Sequence, residues 1–133
     1  VTRDAAVGAD TAFAFLADLG TLAEWTPARW QPAPGGGATG VSGVDGRSLH
    51  VTLDLDATHR TAWFNVADCD GGGPAQPLLA VRVVDGADVG ITGCRITLFA
   101  WRPARFDDAR WAAVHAAHIA EVDVLITVLE GRR

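Results

Sequence analysis

Methionine and tyrosine are absent from this chain of 133 residues, and cysteine occurs only at Cys69 and Cys94. Two cysteines can form one bridge at most. Neither sits in a CxxC pair or at a spacing typical of zinc sites, and each falls at a strand end, where a small apolar filler is the simpler reading. A basic surplus is also missing, since the net charge is −5 and the isoelectric point is near 5.1. No basic stripe exists to neutralise phosphates, so nucleic acid and anionic membrane surfaces are not expected partners. No apolar run reads as approaching the ~18 residues of a membrane span. The opening segment lacks a signal peptide's basic-then-apolar order, which makes the cytoplasm the default compartment. The glycine triplets Gly35-Gly36-Gly37 and Gly71-Gly72-Gly73 carry no GK[ST] or GxGxxG, so they read as hairpin or loop tips and not as phosphate loops. GxSxG, HExxH and a cysteine in a basic setting are absent too, which sets nucleophilic catalysis aside.

What is present is an ordinary globular composition, 49% hydrophobic and 20% charged. It suits one domain over residues 1–133, large enough to bury a core. Val1 to Val7 has a weak strand pattern. Asp10 offers an N-cap oxygen for a helix through Asp18, with Phe13, Leu16 and Ala17 on one face. A second short helix runs from Gly20 to Glu24, reaches Trp25 and is stopped by Pro27. Trp30 to Pro34 reads as a short strand. From Leu49 the alternation is clear: Leu49, Val51, Leu53 and Leu55 oppose His50, Thr52, Asp54 and Asp56. After a tight connection at Thr58-His59-Arg60, Ala62, Phe64 and Val66 alternate with Thr61, Trp63 and Asn65. Asp68 to Pro77 reads as a loop. Strands over Leu78–Val84 and Arg95–Arg102 follow, Pro103 ends the last, and Asp107 or Asp108 caps a final helix.

That helix, Asp107 to Glu130, is the organising element. Winding it at roughly 100° per residue places Trp111, Val114, His115, His118, Val122, Leu125, Ile126 and Leu129 on one wide stripe. A stripe so wide faces something large. Runs of strands without intervening helices mean an antiparallel sheet, so the expected fold is α+β. In it, a curved sheet of about six to seven strands grips the terminal helix, with two short helices after the first strand.

The segment from Val7 to Trp25, with one short helix ending Leu16-Ala17-Asp18 and the next ending Glu24-Trp25, resembles the helix-grip superfamily. So do the strands Leu49–Asp56 and Arg60–Val66 and the stretch Cys94–Pro103 before the last helix. This superfamily (SRPBCC) includes START domains, Bet v 1-like proteins and polyketide cyclases, and the resemblance spans essentially the whole chain. The chain is similar to small bacterial proteins of the polyketide cyclase or dehydrase kind. The resemblance implies a hydrophobic cavity between sheet and helix. Members range from cyclases to lipid carriers and share no catalytic motif, so the chemistry has to come from this chain's own polar groups.

Two histidines near the middle of an apolar stripe are the anomaly. His115 and His118 are one turn apart, and Glu121 follows one turn later. An imidazole near neutral pH can take and give a proton, as aldol cyclisation and dehydration require, and Glu121 could orient His118. The same trio could hold a metal, although its spacing is not the i, i+4 zinc pair, and no metal or other cofactor is expected. Buried histidines can also simply bond a carbonyl or a water. The cavity is expected to take a small hydrophobic or aromatic ligand against Trp111, Trp25, Phe64, Val122 and Leu125. Arg82 and Arg95 interrupt apolar strands and either reach the pocket or form edge salt bridges. Trp63, on the polar face of its strand, would suit a homodimer contact. The expected function is a cofactor-independent cyclase or dehydratase with His118 as acid–base and His115 in support; a carrier or sensor that leaves its ligand unchanged is the alternative.

Overall fold

The computed structural model describes residues 1–71 and 73–132, so Gly72 of the second glycine triplet lies outside the described residues. Among those described, seven strands make one antiparallel sheet: β1 (Thr2–Ala5), β2 (Arg29–Pro32), β3 (Ala38–Val41), β4 (Ser48–Asp56), β5 (Thr61–Asp68), β6 (Gln76–Asp85) and β7 (Cys94–Ala100). Their order is β1-β7-β6-β5-β4-β3-β2. The chain therefore starts at one edge and crosses to the other through helices α1 (Ala9–Leu16) and α2 (Leu22–Trp25). It then meanders back strand by strand until β7 pairs with β1. The long helix α3 (Asp108–Gly131) closes the chain. The architecture is α+β, a curved sheet holding one long helix.

The inner face of the sheet follows from register. Ala62, Val81 and Leu98 stand in one row and Phe64, Leu79 and Ala100 in the next, and Phe64, Val81, Ile96 and Leu98 are buried. Between Phe64 and Val66 the β5–β6 register slips by one residue. A bulge bends its strand and breaks the in–out alternation. As a result, consecutive residues Leu78 and Leu79 both reach the inner side.

Several expectations shift in detail. The strand β3 was not foreseen; it is four residues long, and its Gly40 lies where a Cβ would sit 2.6 Å from the Trp30 ring. Helix α1 begins after Gly8 with no side-chain cap. Asp10 falls within its first turn, where its charge still favours the helix and accepts from Arg60 Nε at 2.7 Å. The buried face of α1 is Ala9, Ala12, Phe15 and Leu16, with Phe13 half-buried, because the sheet lies on the Phe15 side of the apolar arc. The expected loop from Asp68 shortens: β5 includes Asp68 and β6 begins at Gln76. Arg95 pairs with Asp4 across the β1–β7 edge at 2.7 and 3.0 Å, while Arg82 is exposed, in one row with Thr61 and Thr97. Both cysteines are free.

Asp107 caps α3, accepting from the Arg110 N–H at 2.7 Å. The stripe on α3 is not buried along its whole length. Only Val122, Leu125 and Leu129 are fully buried, and all lie in the C-terminal half. Polar ties hold that half in place: Arg3 to Asp123 at 2.8 Å, the Ala6 N–H to Glu130 at 2.9 Å, and Arg132 to Glu24. By length and composition α3 is also apolar enough to cross a membrane, with a mean hydropathy of 1.6. This corrects the expectation that no run reaches a span: alanines dilute the stripe to the eye yet count fully in a window average. In this fold the apolar C-terminal half faces the sheet. Leu125→Ala is expected to cost about 2–5 kcal/mol, and Val124→Ala, at a position 44% exposed, no more than about 0.5 kcal/mol. Urea unfolding of the two variants checks this, and equal losses would mean that α3 presents a different face.

Candidate functional site

Where α3 leaves the core, a cavity of about 190 Å³ opens between its first half and the inner face of the sheet. Trp25 and Leu22 of α2 close one side, the β3–β4 turn around Asp45 another, and the β7–α3 connection at Arg105 and Phe106 a third. The Trp25 ring meets Phe64 edge to face at 6.1 Å and 74°, a favoured aromatic geometry. Trp30 is held by its own Nε1, which donates to Thr26 Oγ1 at 2.7 Å.

His118 and Glu121 line this cavity from α3. The imidazole Nδ1 lies 2.7 Å from Glu121 Oε2, and the two side chains are only 15% and 13% exposed. An ionised carboxylate can only accept, so Nδ1 carries the hydrogen, and Nε2 of the neutral ring is left with its lone pair. The carboxylate fixes both the tautomer and the ring's orientation. In a wall made mostly of Trp, Phe, Leu and Val, this pair is the principal group able to take up a proton.

The other expected site residues separate into two sets. Trp111, Trp25 and Phe64 line the cavity together with His118 and Glu121. His115 does not: it is exposed, stacks on Trp111 at 6.2 Å and 28°, and borders an open groove beside Leu98 and Phe99, which Trp111 and His118 line as well. A step of three residues turns a helix by about 300°, so the two rings diverge by about 60°, and the cavity meets only the His118 side. Val122 and Leu125 are wholly buried and belong to the packed core, beyond the cavity wall. Trp63 lies on the opposite face of β5 from Phe64 and stacks on Trp101 at 6.2 Å and 10°. Among the described residues no group of three His, Cys, Asp or Glu side chains is close enough to hold a metal ion.

A charged cluster at the cavity mouth was not foreseen. Asp68, at the end of β5, has a side chain 3% exposed. Its Oδ1 accepts from the Asp70 and Gly71 N–H groups at 3.0 Å each, and its Oδ2 accepts from Arg47 at 2.9 Å. Arg110 of α3 stands 3.0 Å from Asp45 and 3.8 Å from Asp68, with its guanidinium over the Phe106 ring at 3.9 Å. These contacts tie the β3–β4 turn, the end of β5 and the start of α3 to one another. An acid at a strand end reads as a turn residue, and an arginine off the apolar stripe reads as solvated, so neither stood out in the sequence. The signal that could have found them was their sign: Asp45, Arg47, Asp68 and Arg110 all flank elements that converge on the cavity.

No protein-family model and no curated protein matches the sequence. Solved structures do match in fold. A Chromobacterium violaceum protein superposes with a TM-score of 0.67 at 11% identity, covering 98% of this chain and 95% of that one. The protein XoxI from Bacillus cereus gives 0.63 at 11% identity over 97% and 92%. A START superfamily protein from Mycobacterium smegmatis gives 0.56 at 14% identity over 99% and 93%. The fold is START-like. At such identities the likeness speaks for the START-like architecture alone, so the chemistry rests on the cavity's own residues.

Burial alone would raise the Asp68 carboxyl, but the Gly71 and Asp70 N–H groups and the Arg47 guanidinium outweigh it and hold it below the usual carboxylate range. A group whose folded pKa is depressed contributes stability that is fully present above its unfolded pKa and is lost as pH falls through the folded one. The expected profile is a urea midpoint insensitive to Asp68 above about pH 5 and falling below about pH 4. Asp68→Ala should cost about 1–3 kcal/mol at neutral pH, because the Asp70 and Gly71 N–H groups and Arg47 lose their acceptor, and should flatten the acid limb. An acid limb unchanged in the variant would remove Asp68 as its source.

Proposed function

We propose that this chain binds a small, apolar, oxygen-bearing molecule in the cavity and performs cofactor-independent acid–base chemistry on it, of the cyclase or dehydratase kind. His118 is the proton-transfer group and Glu121 holds its ring. The observation that carries this reading is the 2.7 Å contact between His118 Nδ1 and Glu121 at the wall of a largely apolar cavity. The carboxylate holds the ring's hydrogen on Nδ1 and leaves Nε2 as the atom that accepts. In a dehydration, Nε2 would take a proton from the carbon next to a carbonyl. The C–H pair would become the new C=C bond, and the imidazolium would return a proton to the departing hydroxyl, releasing water. His115, outside the cavity, has no part in these transfers and acts at most on the packing of Trp111.

The alternative is a carrier, in which the same pair only anchors the ligand's oxygen. It is favoured by one observation: the His118–Glu121 pair is already satisfied internally and so is stable without a reaction to serve. Conversion of an aryl β-hydroxy ketone to its conjugated enone, followed by absorbance, separates the two. The parent protein should accelerate it, and His118→Gln should lose about 10²–10⁴-fold in rate with binding kept. Glu121→Gln should lose less, and His115→Ala should change little. Equal rates in the parent and His118→Gln would remove His118 as the acid–base, while intact binding without conversion in the parent would favour the carrier.

A further inference from the structure

The cavity's hydrogen-bonding groups are unevenly matched. Its acidic side chains already have partners: Glu121 accepts from His118, and Asp45 faces Arg110 at 3.0 Å. Its donors do not. The buried Nε1 of Trp25 and the buried Nε of Arg110 have no hydrogen-bond partner among the described residues. Arg105, exposed at the mouth, has no acidic partner among the described residues either. Phe106 brings the two arginines together, its ring lying 3.9 Å from the Arg110 guanidinium carbon and 5.4 Å from that of Arg105.

Charge at the mouth follows the same direction. Arg110 stands 3.0 Å from Asp45 and 3.8 Å from Asp68, and Asp68 also pairs with Arg47 at 2.9 Å, whereas Arg105 has no acidic partner among the described residues. Glu121 follows Arg110 by eleven residues along α3, about 16 Å at 1.5 Å per residue, which is well beyond a Debye length at physiological salt. Arg110 also has donor capacity to spare, since a guanidinium carries five N–H groups and its ion pairs engage only one terminal nitrogen.

We infer that the ligand is a monocarboxylate with an apolar body, its carboxylate held at the mouth by Arg105 and Arg110 and its body lying inward toward Trp25, Phe64 and His118. One carboxylate oxygen pairs with Arg105, and the second meets the spare N–H groups of Arg110. Arg82 and Arg95, the arginines whose strands suggested such a role, point to the other side of the sheet or pair with Asp4. The assignment rests on the ligand-binding reading above.

The test is calorimetric titration of the full chain with three probes of one shape: naphthalene-1-carboxylate, naphthalene-1-carboxamide and 1-naphthylmethylammonium. The carboxylate should bind about tenfold more tightly than the amide, the size of one charge-assisted contact, and the ammonium more weakly than either. In Arg105→Gln the carboxylate should lose that preference while the amide keeps its affinity. Arg105 is exposed and has no ion-pair partner among the described residues, so this variant leaves the fold's charged cluster intact. Arg110→Gln should lose the preference as well, though it also disturbs the contact to Asp45. An amide or ammonium that binds as tightly as the carboxylate overturns the inference and leaves the cavity reading standing. Full preference retained in Arg105→Gln overturns the assignment likewise. Absence of binding by all three probes removes both this inference and the ligand-binding reading beneath it.

Discussion

A single buried carboxylate, Asp68, brings the start of the long helix to the end of β5. A charge so little exposed is tolerated only when its lone pairs are filled. Two backbone N–H groups from the turn that follows, together with Arg47, fill them. Arg47 and Asp45 belong to the β3–β4 turn, and Arg110 to the first turn of α3. The carboxylate thereby draws three segments to one point. At the other end of α3, Val122, Leu125 and Leu129 are packed to near-zero exposure. The helix is pinned ionically at its start and by apolar contact at its end. Between the pins it runs alongside the curving sheet without filling the space, and that unfilled stretch is the cavity.

The two kinds of anchoring give the cavity two unlike ends. Toward the core it is walled by aromatic and aliphatic side chains, where a weak local dielectric strengthens the bond between His118 and Glu121. Toward the mouth it is bordered by guanidinium groups and water. Arg110 and His118, eight residues apart on one helix, mark these two ends.

Much of the fold was legible because its periodicities are local. The alternation in Leu49–Asp56 and in Thr61–Val66, the cap at Asp107 and the stop at Pro103 each announce an element without help from the remainder of the chain. What was illegible depends on partners distant in sequence. Strand β3 has four residues with a glycine among them, too few to show a period, and it exists because β2 and β4 flank it. Phe15 is buried, with Phe13 only half so, because of where the sheet lies. The wide stripe on α3 placed His115, Val122 and Leu125 beside His118, yet a helix that passes from packed core to open cavity meets different surroundings turn by turn. Of the five aromatic and histidine positions expected to matter, Trp25, Phe64, Trp111 and His118 converge on one space and His115 does not. Arg105 and Arg110 went unread because a surface charge is the ordinary fate of an arginine outside an apolar stripe.

The strand order carries a consequence for how the molecule is made. Thr2 pairs with Thr97, so the first strand waits for the last before it has a neighbour, and α3 follows every strand in the chain. During vectorial synthesis the meander from β2 to β7 forms with its inner face bare, and the element that covers this face leaves the ribosome only after it. Sheets dominated by such distant pairings close slowly, and a naked apolar face is the state in which chains associate wrongly.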